Sequence, residues 1–212
     1  MKEYLILKLK GPMQSWGGHS YEDYRPTEKY PTRSGLIGLL GACLGIDRKD
    51  LENQQKLNES FIFAARADKK EVFTKKLVDF HTVEDVLKVD GSINPYPVVT
   101  KREYLQDAEF SLAISFLPNA KYGIEKVKAA LNKPIFTPCL GRKSCPISRP
   151  LYETTLKADN LVSALSMIEP KAGLIYSEEG NEELDKVMIA RDQPLFDGKR
   201  HFYNRKLYLI KQ

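Results

Sequence analysis

Between residues 4 and 10 apolar and polar positions alternate, with Leu5, Leu7 and Leu9 on one face and Lys8 and Lys10 on the other. A period of two predicts a half-buried strand, which Gly11-Pro12 ends. A polar, aromatic loop spans residues 13–31. The spacing then becomes helical as far as about Leu44, with Thr32 or Ser34 as cap and Gly45 as stop. Residues 61–67 and 72–80 predict a strand pair around Asp68-Lys69-Lys70. A long polar excursion, residues 82–107, contains a turn at Asp90-Gly91-Ser92 and breaks at Pro95 and Pro97. Residues 110–117 predict a strand, 122–131 a helix through Ile124, Val127 and Leu131, and 135–140 another strand.

Without the excursion the order is β-α-β-β-α-β, a ferredoxin-like α+β arrangement also used by RNA-recognition domains. Those domains read RNA with paired aromatics on the sheet, and no such pair is obvious in the sequence. Residues 1–150 form this expected core, and 151–212 a small carboxy-terminal β-rich extension with one short helix (160–168) and a late hairpin (187–191 with 202–210).

The formal charge of +5 is modest but unevenly spread. Residues 191–212 carry Arg191, Lys199, Arg200, Arg205, Lys206 and Lys211 against Asp192 and Asp197, whereas Glu178, Glu179, Glu182, Glu183 and Asp185 gather upstream. This asymmetry suits one nucleic-acid face and other faces for proteins. Cys43, Cys139 and Cys145 lack C-x-x-C spacing, which favours a reducing cytoplasm. His19, His81 and His201 suggest no local metal motif. No cofactor is expected, and the longest apolar run, 36–44, is too short for a membrane span.

The strongest chemical signal is Leu140-Gly141-Arg142-Lys143-Ser144-Cys145-Pro146. Gly141 permits a turn on which N–H groups converge on an anion, Arg142 and Lys143 attract a phosphate, and Ser144 can donate to one. A solvated basic turn is the plain alternative. The helix start offers free N–H groups beside Arg33 and Ser34, either for an anion or for simple capping. Gly35, Gly38 and Gly41, each costing about 1 kcal/mol relative to alanine, predict tight packing on a sheet more than direct RNA contact. Gln14 and Trp16 follow the first strand. Trp16 suits either base stacking or a core anchor.

Several segments together resemble a known family. They are Gly11-Pro12-Met13-Gln14-Ser15-Trp16-Gly17, Arg25-Pro26-Thr27, Pro31-Thr32-Arg33-Ser34-Gly35, Asp79-Phe80-His81-Thr82-Val83, Arg102-Glu103-Tyr104-Leu105, the basic glycine loop and Ile175-Tyr176-Ser177-Glu178-Glu179. The chain is similar to the Cas-five-type subunits, of the RAMP superfamily, found in type I-E CRISPR surveillance complexes of the Cascade kind.

The resemblance implies a ferredoxin-like RAMP core with a protruding thumb at about residues 82–107. It also implies a role in holding the repeat-derived 5′ handle of the crRNA and capping a filament of backbone subunits. The large subunit that recognises the protospacer-adjacent motif would be a neighbour, and target DNA an indirect partner. In this setting Gly141, Arg142, Lys143 and Ser144 become the first phosphate contacts, followed by Arg33 and Ser34. Gln14, Trp16 and Arg25 are further RNA candidates, Trp16 for stacking on an unpaired base and Arg25 for RNA or a neighbouring subunit. Lys101, Arg102 and Tyr104 would grip or bend RNA from the thumb, with Tyr104 and Leu105 also able to pack on a backbone subunit. Arg149, Arg200 and Arg205 are weaker candidates.

Two other readings compete. A metal-independent endoribonuclease would need a base, a cation and an acid, and His81 with Lys101 or Tyr104 could supply them. A pure protein-interaction cap would need none. The expectation is RNA binding without catalysis.

Overall fold

Leu5, Leu7 and Leu9 do face one core, but Tyr4 and Ile6 face a second on the opposite side of the same strand. The computed structural model describes residues 1–18, 20, 23–69, 76–197 and 201–211. The first strand, β1 (Lys2–Lys10), leads through four two-residue strands, β2 (Met13–Gln14), β3 (Trp16–Gly17), β4 (Tyr24–Arg25) and β5 (Thr27–Glu28), to α1 (Arg33–Leu44) and α2 (Leu51–Asn58). Next come β6 (Phe61–Ala67), β7 (Lys76–Val83), β8 (Val98–Gln106), β9 (Glu109–Phe116) and α3 (Ile124–Asn132). The chain ends with β10 (Tyr152–Ala158), α4 (Leu161–Ser166), β11 (Leu174–Ser177), β12 (Lys186–Leu195) and β13 (His201–Lys211).

The main sheet runs β10-β1-β9-β6-β11-β13-β12, with every neighbouring pair antiparallel. Its first four strands have the ferredoxin-like order. The last strand of that unit is β10, not residues 135–140. That segment instead bonds the end of α1, with the Ile135 and Phe136 N–H groups donating to the Cys43 and Ala42 carbonyls at 3.1 and 3.0 Å. Residues 151–212 are built into the same sheet, to which they give four strands, so no separate extension begins at residue 151. β6 pairs with β9 and β11 rather than with 76–80. Of that predicted partner, 72–75 lie outside the described residues, and the rest belongs to β7.

β7 and β8 form the thumb hairpin, with Val83 opposite Val98 and Lys76 opposite Leu105. The projection therefore starts earlier than residue 82 and is strand over most of its length. At its root, β8 also pairs with β2 and β4.

Lys8 defeats its place in the alternating pattern. It is 3% exposed, with Nζ 2.7 Å from Asp68 Oδ2 and donating to the Glu169 carbonyl at 2.6 Å. Arg66 Nε donates to Asp68 Oδ1 at 2.9 Å, and Ser111 Oγ to Oδ2 at 2.6 Å. A buried charge is tolerated where partners and hydrogen bonds replace water. The apolar part of this face is closed by Leu161, Ala164 and Leu165 of α4. The surface on which RNA-recognition domains carry aromatics is therefore covered.

α1 is capped as its sequence predicts, by Thr32 Oγ1 accepting from the Gly35 N–H and by Gly45 at φ +72°. Its glycines do not line a sheet contact. A Cβ on Gly35 would meet the Trp16 ring at 2.7 Å, whereas one on Gly38 would meet nothing within 4 Å.

Candidate nucleic-acid interface

The amino terminus of α1 already holds an anion, and that anion belongs to the protein. The Arg33 N–H donates to Asp192 Oδ2 at 2.8 Å. The Arg33 guanidinium donates to Asn58 Oδ1 (2.7 Å), the Phe61 carbonyl (3.0 Å) and Glu178 Oε1 (2.6 Å), and lies over the Phe61 ring. Arg205 closes the knot through Asp192 Oδ1 (2.5 Å) and Glu178 Oε1 (2.8 Å). Arg33 is 6% exposed, so the predicted RNA contacts at Arg33 and Arg205 are corrected to structural ones. Ser34 stays partly exposed at the helix start. Arg149 forms an ion pair with Glu153, and Arg200 lies outside the described residues.

Gln14 and Trp16 are also interior, both at 0% exposure. Gln14 Nε2 donates to the Ala108 carbonyl at 2.7 Å, and its Oε1 accepts from Trp16 Nε1 at 3.1 Å. Of the two roles open to Trp16, the structure places it as core anchor: its ring fills the space beside Gly35. These residues hold the loop that supports the basic turn, since the Ser15 N–H donates to the Leu140 carbonyl at 3.0 Å.

Gly141 sits at φ +92° with so little room that a Cβ would lie 1.7 Å from the Ser15 carbonyl oxygen. Its own N–H donates to the Cys139 carbonyl, and the Cys145 N–H to the Arg142 carbonyl. Gly141 thus shapes the turn without offering its amide, which corrects the expectation that it contacts phosphate. Lys143 and Ser144 project from this turn and are exposed.

Arg142 reaches back to the thumb root. It lies over the Tyr104 ring, 4.8 Å from the centroid, and donates to the carbonyls of Glu103 (3.4 Å) and Arg25 (3.2 Å). Tyr104 is 4% exposed, so it supports Arg142 rather than gripping RNA itself. β4 runs parallel to β8 with Arg25 beside Arg102, and Arg102 Nε donates to Thr100 Oγ1 at 3.1 Å. Arg25, Arg102, Tyr104 and Arg142 therefore share one face of the ribbon. Lys101, exposed, points to the other face. Among the described residues, no carboxylate forms an ion pair with Arg25, Lys101, Arg102, Arg142 or Lys143, not even Asp79 across the ladder from Arg102.

Glu103 ties this cluster to the body, a role its sequence position does not reveal. Its carboxylate accepts from Lys76 Nζ (2.7 Å) on β7, the Tyr24 hydroxyl on β4 and the Thr27 N–H (3.1 Å) on β5. Burial alone would raise its pKa, but Lys76, Tyr24 and the Thr27 amide outweigh that and hold it below the ordinary glutamate value.

The proposed nuclease set does not converge. His81 is opposite Thr100 on β7, four residues along β8 from Tyr104, or about 13 Å of strand. Lys101 points to the opposite face. What the arrangement can do is attract a polyanion with cations that no described carboxylate neutralises and position it on Arg102 and Arg142, which hydrogen bonds hold in place.

A family model described as "CRISPR-associated protein (Cas_Cas5)" matches residues 4–208. The chain is 43% identical over 217 residues to the "CRISPR system Cascade subunit CasD" of Escherichia coli (strain K12), with 100% of this chain and 97% of that protein covered. A solved chain from a "CRISPR RNA-guided surveillance complex" matches with a TM-score of 0.77 at 29% identity, over 99% of this chain and 90% of that one. Another, described as "Crystal structure of Cas protein", gives a TM-score of 0.64 at 30% identity, over 99% and 93%.

Proposed function

The chain belongs to the Cas5 family of CRISPR-associated proteins, and on that premise we propose that it is a non-catalytic, RNA-binding subunit of a type I-E surveillance complex. It anchors the 5′ repeat-derived handle of the crRNA at one end of the backbone filament, beside the large subunit, in the cytoplasm. Target DNA is met through the guide, whose pairing reads sequence while protein positions the RNA backbone.

The observation that carries this reading is the cluster of Arg25, Arg102, Arg142 and Lys143 at the junction of thumb, β4 and basic turn, with Lys101 on the opposite face of the same ribbon. Cations without carboxylate partners among the described residues suit a phosphodiester chain. Ser144 adds a hydroxyl donor at the same turn. The α1 terminus adds no free cation, because Arg33 is committed internally.

The test is binding of the full chain, alone and assembled with its partner subunits, to single-stranded repeat RNA. The Arg142→Ala, Lys143→Ala double variant should bind at least tenfold more weakly, since each charge-assisted phosphate bond contributes about 1.5–3 kcal/mol. Unchanged affinity and assembly would remove the site. Incubating the same RNA with the wild type in chelator should leave it intact, whereas a discrete product lost in His81→Ala would favour the nuclease reading.

A further inference from the structure

Phe80 is 63% exposed on β7. Its ladder partner on β8 is Lys101, whose partner on β4 is Tyr24. Residues in register on adjacent strands project from the same side of a sheet. An aromatic, a cation and a second aromatic therefore stand in one row across three strands, on the face opposite Arg25 and Arg142. Strand spacing puts the two aromatic positions about 10 Å apart with the lysine between them. Tyr24 is partly exposed, and its hydroxyl is fixed by Glu103.

We infer that Phe80 is a nucleobase-stacking residue, seating one unpaired base of the bound RNA while Lys101 meets the adjoining phosphate. An exposed ring on a sheet with a flanking cation is the arrangement by which single strands are held independently of base pairing. The charge of this patch selects the occupant. Among the described residues in register on this face, the carboxylate of Glu103 is engaged by Lys76, Tyr24 and Thr27, and Lys101 is an exposed cation with no ion pair beside the ring. The hairpin tip differs, with exposed Leu87, Val89 and Ile93 among Glu84, Asp85 and Asp90. An RNA strand avoids that surface. This inference rests on the RNA-binding reading above and adds to it a residue that reads a base rather than a phosphate.

The experiment uses the full chain and a repeat-derived single-stranded RNA carrying 2-aminopurine at successive positions. Wild type should quench the fluorescence of one position on binding. Phe80→Ala should abolish that quenching and weaken binding about 5- to 150-fold, and Phe80→Trp should restore both. Arg142→Ala should weaken binding while the quenching persists at saturating protein. Quenching and affinity retained in Phe80→Ala would overturn the stacking role and leave the phosphate site standing. Retained RNA binding with loss of a partner subunit would overturn it in favour of protein docking. Absence of RNA binding by the wild type would overturn this inference together with the reading beneath it.

Discussion

The guanidinium carbon of Arg142 lies over the Tyr104 ring, 4.8 Å from its centroid. Its other fixed partners are carbonyls, which orient it without cancelling its charge. Tyr104 is thus a positioning residue. Tyr104→Leu should weaken RNA binding about two- to fivefold, the scale of a partly exposed cation–π contact, without altering the fold. Arg142→Lys should also bind more weakly than wild type, because an ammonium cannot span the ring and both carbonyls. Titrations of labelled RNA at fixed salt, with circular dichroism as a fold control, check both.

Glu103 makes the thumb root pH-sensitive with a definite sign. Its folded pKa is depressed, so its contribution is complete above the ordinary glutamate value and is lost as pH falls through the lower folded value. Thermal unfolding across pH 3–7 should show wild type losing stability at the acid end. Glu103→Gln should be less stable than wild type at neutral pH and should lose less on acidification. Parallel profiles would contradict the latch.

Arg33 and Asp192 separate structural arginines from binding ones. Arg33→Ala leaves Glu178 to Arg205 and takes the arginine donor from Asn58 Oδ1 and the Phe61 carbonyl, a loss of about 1–3 kcal/mol for a buried acceptor left unpaired. The folded fraction should bind RNA as wild type does. A combined denaturant melt and RNA titration distinguishes this from a direct contact, which would lower affinity at full stability.

Gly141→Ala should distort the basic turn. Its added carbon would lie 1.7 Å from the Ser15 oxygen, in a backbone region that alanine resists. RNA affinity should fall together with melting temperature, whereas Lys143→Ala lowers affinity alone.

Local signals were legible where the chain's near neighbours decide them. Thr32 and Gly45 bound α1 as their chemistry requires, and the β9 and α3 patterns match their burial. The failures share one cause, a partner distant in sequence. Lys8 reads as solvent-facing because Asp68, which neutralises it, is sixty residues away. Arg33 reads as free because Glu178 and Asp192 arrive from strands near the carboxy terminus. Residues 135–140 have strand composition, but their first amides are taken by the end of α1. Asp68-Lys69-Lys70 reads as a hairpin turn although β6 is claimed on both sides by β9 and β11. Within the site, the basic turn was visible from its composition. Glu103, which joins that turn's neighbours to the thumb, reads in isolation as one acidic residue among many.

The salt dependence of RNA binding tests the central claim most directly, because it counts phosphates neutralised rather than stability. For a single strand the slope of log affinity against log salt is about −0.7 per neutralised phosphate. Removing Arg142 and Lys143 together should flatten the wild-type slope by about 1.4 if each meets one phosphate, while Arg33→Ala leaves the slope unchanged. A double variant with the wild-type slope, or a slope that flattens with Arg33→Ala instead, contradicts the account.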